Sequence, residues 1–156
     1  TTTLANYLKL LSDGGLLGGL EKYAGSLIRQ RSSSPKFQVY NNALLTSQHV
    51  ETWHDAIVNP KRWGRLVESS VGAHLLNHSV SERYHLHYWR EGNHEVDFIL
   101  EKGNKVIGIE VKSGASAENT GMAIFNDKFH PDKVMLVGTG GIPWEEFLRI
   151  NPREIF

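Results

Sequence analysis

The spacing of apolar residues changes period along the chain. Near the start, Leu4, Tyr7, Leu8 and Leu11 recur at helical intervals, with Thr2 or Thr3 as the cap. "DGG" at 13–15 stops that helix, because glycine readily takes the left-handed cap conformation. "LLGGLEKYA" (16–24) predicts a short hairpin. A helix followed by a small hairpin is either the end of a winged-helix unit or an amphipathic helix docked on the remainder. The polar, proline-containing "RQRSSSPK" (29–36) predicts a loop and an internal boundary, separating a helix-hairpin segment (1–36) from a main domain (37–156). "FQVYNNALL" reads as a strand and turn, and "SQHVETWHDAIVNP" as a helix ended by Pro60. Residues 61–78 form a longer helix, with Trp63, Leu66, Val67, Ser70, Val71 and Leu75 on its buried stripe. The period then falls to two for a strand at 84–91 and a hairpin at 94–113. A helix (117–130), a strand (132–141) and a short helix opened by Pro143 close the chain. From residue 61 the order is α-β-β-β-α-β-α, an α/β fold.

The hairpin carries the chemistry. Gly103-Asn104 is a two-residue primed turn, which pairs Asp97 with Glu110 and Glu95 with Lys112. One face then holds these charges with Ile99, Val106 and Gly108. The other face, Val96, Phe98, Leu100, Ile107, Ile109 and Val111, is wholly apolar and is expected to be the core. Directly opposed side chains have Cβ atoms about 5 Å apart, where like charges repel. Two carboxylates so placed either share a proton or hold a cation. Oxygen-only ligands favour Mg2+ or Mn2+. Lys112 faces the same side as Glu110, where it can hold a phosphate or orient a water. The set suits metal-assisted phosphodiester hydrolysis. The alternative is an ordinary solvated strand face. Ile99, Val106 and Gly108 speak against it, since they predict a face covered at one end and open at the other. Glu68 flanks the apolar stripe of the 61–78 helix, with Gly64 and Gly72 one turn to either side. Each glycine there costs about 1 kcal/mol relative to alanine, so close packing is the expected cause.

Composition narrows the picture. The 156 residues contain no cysteine, which excludes disulfides and thiolate metal sites and is compatible with the cytoplasm. No apolar run reaches the roughly 20 residues of a membrane span. The start lacks a methionine and a signal peptide, so a piece of a longer protein is expected. Formal net charge is zero, without an overall nucleic-acid footprint. Five Lys/Arg against two Asp/Glu fall in 1–36, and twelve against fifteen fall in 37–156. Lys22, Arg29, Arg31 and Lys36 could line a DNA backbone, though a solvated loop is the simpler reading. His74 and His78 have a zinc-like spacing but lie on the apolar side of their helix, which favours packing. His85 and His87 are expected at a strand edge. Trp89 is expected in the core and Arg90 on the surface.

Glu68, Asp97 and the Glu110-x-Lys112 pair resemble the metal site of the PD-(D/E)XK nuclease superfamily, whose core runs αβββαβ. Val96 stands where the motif has proline. "GRLVESSVGAHLL", "YHLHYWREGNHEVDFIL", "GIEVKSG" and "KVMLVGTGGIPWEEFL", with "TLANYLKLLSDGGLLGGLEKYA" and "SPKFQVYNNALL", resemble the C-terminal region of bacterial and archaeal AAA-superfamily ATPases, the domain-of-unknown-function family 4143. The resemblance covers nearly the whole chain. It implies a restriction-endonuclease-like fold and an N-terminal ATPase module in the complete protein. No GxxxxGK[ST] phosphate loop occurs here, so ATP hydrolysis is not expected of this chain. The aspartate of the family's "DxGL" stretch is replaced in "NNALL". The resemblance further implies Mg2+ or Mn2+ held by Asp97, Glu110, the Val111 carbonyl and Glu68, with Lys112 positioning phosphate and water. DNA is the expected substrate, ahead of RNA. Two functions follow: a metal-dependent DNA nuclease, or a regulatory module that keeps the fold without cutting.

Overall fold

A computed structural model describes residues 2–24, 33–114 and 120–156. Arg29, Arg31 and the start of the helix expected at 117 fall outside them. In chain order the described elements are α1 (Thr2–Asp13), β1 (Leu17–Lys22), β2 (Lys36–Val39), α2 (Ala43–Thr46), α3 (Trp53–Val58), α4 (Pro60–Ser79), β3 (His85–Glu91), β4 (His94–Lys102), β5 (Lys105–Lys112), α5 (Thr120–Phe129), β6 (Lys133–Gly138), α6 (Trp144–Phe147) and a 3-10 turn (Pro152–Ile155). The protein is a mixed α/β structure with one six-stranded sheet, ordered β2-β1-β3-β4-β5-β6. The strands β3, β4 and β5 are antiparallel, and β6 runs parallel to β5.

Local signals explain the elements that frame the site. Helix α4 starts where Asn59 accepts a hydrogen bond from the Arg62 N–H at 3.1 Å, with Pro60 in the first turn. Pro60 therefore opens α4. The helix expected over 47–60 shrinks to α3, because Thr52 and Asp55 build a reciprocal capping box that fixes its start. Along α4, Leu66, Val67, Val71, Leu75 and Leu76 are buried, while Trp63 is half-buried. The β3–β4 and β4–β5 hairpin turns have the same chemistry: "GN" at 92–93 and at 103–104, each glycine with φ near +60°.

Several expectations change. Residues 16–24 do not form a hairpin of their own; β1 is one strand whose antiparallel partner is β2, so its hydrogen bonds close on residues 36–39. Strand β1 also runs parallel to β3 through Glu21–His87 and Lys22–Tyr88. Residue 36, where the sequence places a boundary, is thus the first residue of a strand in the common sheet. Because β1 flanks β3, His87 is not at an edge: it is buried, with Nε2 3.2 Å from Glu101 Oε2, while His85 is exposed. No residue of α1 is buried; Leu4, Tyr7, Leu10 and Leu11 all face solvent.

The sheet is covered on both faces. Phe98, Leu100, Ile107 and Ile109 pack with Val71 and Leu75 of α4 and with Val137, Phe147 and Ile155. Trp89, Val96 and Ile99 pack instead with Met122 and Phe125 of α5. Val96 therefore leaves the face assigned to it beside Phe98. The cause is a bulge. His87 pairs with Ile99 and Trp89 with Val96, so Asp97 and Phe98 together oppose the single residue Tyr88. An extra residue shifts the alternation by one and bends the strand. Asp97 sits in that bulge.

Candidate functional site

The site lies where α4, β2 and the ends of β4 and β5 meet. The β4–β5 register is the one read from the turn, with Phe98 opposite Ile109 and Lys102 opposite Lys105. Past Phe98 the ladder gives way to a side-chain contact: Asp97 Oδ2 accepts the Val111 N–H at 2.9 Å. Glu110 Oε1 accepts from Lys112 Nζ at 2.6 Å. Glu110 is only 6% exposed, and its second oxygen, Oε2, has no hydrogen-bond partner. A buried, unpaired carboxylate oxygen costs free energy unless something occupies it.

The electrostatics follow from crowding. Burial, then the charges of Glu68 and Glu110, push the Asp97 carboxyl up to about 7, against the pull of Lys36 and the Val111 N–H. Burial raises the Glu110 pKa as well, although its bond to Lys112 opposes the shift. Burial works to lower the Lys112 pKa, but contact with Glu110 outweighs it and the ammonium stays charged.

Glu68 does approach the cluster, but it is joined there by Lys36 and Glu95, which the sequence reading gave no part in the metal site. Lys36 Nζ lies 2.8 Å from Glu68 Oε1, 3.1 Å from Glu95 Oε1 and 3.8 Å from Asp97 Oδ1. Burial disfavours this ammonium, yet the attraction of Glu68, Asp97 and Glu95 prevails and raises its pKa. Lys36 is thus no solvated loop residue: β2 carries its side chain over the Phe98 ring, 5.4 Å from the centroid. Glu95 engages Lys36 and, at 3.7 Å, Arg90, rather than Lys112. The available signal was a charge count: Glu68, Glu95, Asp97 and Glu110 outnumber Lys112, so a further cation was required.

The two helix glycines have structural explanations. A Cβ on Gly72 would lie 2.2 Å from Gln38 Oε1 and 2.7 Å from the tip of Phe98. A Cβ on Gly64 would lie 2.8 Å from Ser113 Oγ, one residue after Lys112. Both let α4 approach the strands that carry the site. His74 and His78 bond the carbonyls of Ile150 and His74, each at 2.9 Å, and act as packing residues. Trp89 is buried against Phe125, and Arg90 is exposed.

Among the described residues, no group of three or more His, Cys, Asp or Glu side chains is arranged to hold a metal ion. Glu68 and Glu95 are turned toward Lys36, which leaves Asp97 and Glu110 as the oxygen donors. Two carboxylates are compatible with a hard cation that keeps several waters. The unpartnered Glu110 Oε2 is consistent with that fit.

Fold and site together define a mixed α/β domain with a carboxylate–lysine cluster at the sheet's end. The family model described as "Domain of unknown function (DUF4143)" matches residues 63–146, more than half of the chain, and the protein belongs to that family. The matched span includes α4 from residue 63 onward, β3 to β5, α5 and β6, hence Glu68, Asp97, Glu110 and Lys112. Lys36 lies before it. No curated protein and no solved structure matches the chain. Among the described residues no helix is long and apolar enough to cross a membrane.

Proposed function

We propose that this domain is a metal-dependent phosphodiesterase of the restriction-endonuclease-like, PD-(D/E)XK kind, acting on DNA. One observation carries the reading: Glu110 is buried with a free oxygen, beside Asp97 and bonded to Lys112. Crowding a buried Glu110 against a largely buried Asp97 and a part-buried Lys112 on one hairpin is costly for stability, and such cost is typical of a chemical site. Asp97 and Glu110 would hold Mg2+ or Mn2+ with the Val111 carbonyl, and Glu68 would assist from α4. The bound ion would supply Lewis-acid activation of the phosphate and of water. Lys112, charged and 29% exposed along its side chain, would hold a phosphate oxygen and orient the attacking water. The Val111 N–H fixes the Asp97 carboxylate, and burial keeps Glu110 from solvent. An N-terminal ATPase module in the complete protein belongs to the same reading.

Lys36 favours a second reading, a module that keeps the nuclease fold without turnover. Its ammonium already balances Glu68, Glu95 and Asp97. Incubation with plasmid, linear and branched DNA in Mg2+ or Mn2+ separates the two. The first reading expects cleavage that falls about a hundredfold or more in Asp97→Ala and Lys112→Ala. Cleavage surviving both substitutions sinks the proposed site. No cleavage of any substrate, with no metal binding by calorimetry, leaves the non-cutting module.

A further inference from the structure

The cation nearest these carboxylates belongs to the chain itself. Lys36 Nζ touches Glu68 and Glu95 and lies 3.8 Å from Asp97 Oδ1. Asp97 Oδ2 is committed to the Val111 N–H, so Oδ1 is the oxygen left to face a cation. On the neighbouring strand β5, Glu110 Oε2 is buried and has no partner. The cluster therefore has one satisfied half and one unsatisfied half, and Lys36 accounts for the difference. It also engages Glu68 and Glu95, the other two carboxylates of the cluster.

We propose that Lys36 is a tethered counter-ion that competes with a divalent cation for Asp97 and Glu68, so that loading the site requires its ammonium to swing away. The inference rests on the reading of this cluster as a metal site, and it adds an internal competitor that sets the metal affinity. A lysine suits this role because its ammonium is a compact charge on a flexible four-carbon stem, which can leave without taking the backbone along. The backbone at Lys36 is held. Leu20 pairs with Lys36 across β1 and β2, and the Tyr88 hydroxyl donates to the Ser34 carbonyl at 2.7 Å. Exchange is thus a side-chain movement: the strand stays and the ammonium departs. The side chain is 24% exposed, so a path to solvent exists.

The test compares wild type, Lys36→Met and Lys36→Arg by calorimetry with MnCl2. Lys36→Met keeps an unbranched apolar stem and removes the charge, and is expected to bind Mn2+ about tenfold more tightly. Lys36→Arg keeps the charge and is expected to stay near wild type. Equal affinity in wild type and Lys36→Met, weaker binding in the latter, or no binding in either overturns the inference. A measurement on the wild-type protein covers the case in which Lys36→Met does not fold. Acylation of individual lysines, read by mass spectrometry, is expected to rise at Lys36 relative to the other lysines when Mn2+ is added. Unchanged or reduced labelling overturns the inference as well. Cleavage plays no part in either readout. A protein that gains Mn2+ affinity on Lys36→Met yet never cuts DNA keeps this inference and loses the nuclease reading.

Discussion

Replacing Asp97 by asparagine tests whether the site is strained in the way its geometry indicates. The carboxyl is buried, faces Glu68 and Glu110, and is pushed from an ordinary 3.8 up to about 7. Between those values the unfolded chain has released the proton while the folded protein still holds it. Folding then takes up a proton, and stability falls as pH rises across the window. The contribution is fully present below about 4 and is lost by about 7. Roughly three pH units at about 1.4 kcal/mol each give an upper bound of about 4 kcal/mol. Coupling to Glu110, raised in the same direction, spreads part of this between the two groups, so about 2–4 kcal/mol is expected for Asp97 alone. Asparagine keeps an acceptor for the Val111 N–H and removes the titration. Urea denaturation of both proteins at intervals from pH 4 to 8, without divalent cations, gives the two profiles. Their difference reports residue 97 together with the groups coupled to it, chiefly Glu110, because distant groups such as the exposed histidines cancel. Asp97→Asn is expected to lose about 2–4 kcal/mol less than wild type as pH rises, and to be the more stable protein at pH 8. Parallel profiles would refute the reasoning.

Other outcomes follow from packing. Gly72→Ala places a methyl against Gln38 and Phe98, and overpacking should outweigh the gain in helix propensity, for a net loss of about 1–2 kcal/mol in denaturant melts. Gly64→Ala meets only the rotatable Ser113 hydroxyl and should be neutral or stabilising by up to about 1 kcal/mol; equal losses at both positions would contradict the account of α4 packing. Tyr84, whose pKa burial raises, donates its hydroxyl to the Leu75 carbonyl, so Tyr84→Phe should cost about 1 kcal/mol in the same melts. Phe98, fully buried beneath the Lys36 ammonium, should cost about 3–5 kcal/mol on truncation to alanine, and a much smaller loss would place it outside the core.

What the sequence by itself determined was everything governed by near neighbours along the chain. Helical spacing placed α4, although Pro60 reads as the end of the helix before it, and the Gly103–Asn104 turn set the β4–β5 register residue by residue. A two-residue turn leaves one register available, so Asp97 and Glu110 could be brought together on paper. The α-β-β-β-α-β-α order from α4 onward was legible for the same reason. The tertiary structure alone decided the rest. That β1 pairs with both β2 and β3 depends on segments far apart in sequence, which no local pattern encodes. The bulge opposite Tyr88 arises from pairing between β3 and β4, and it moved Val96 to the α5 side. Lys36 was read as a loop lysine because nothing around it signals burial. It became the counter-charge of the site when β2 crossed α4 and four carboxylates in a confined space drew in a second ammonium. Local propensities chose the elements and the register, and long-range electrostatics chose which cation the acids would meet.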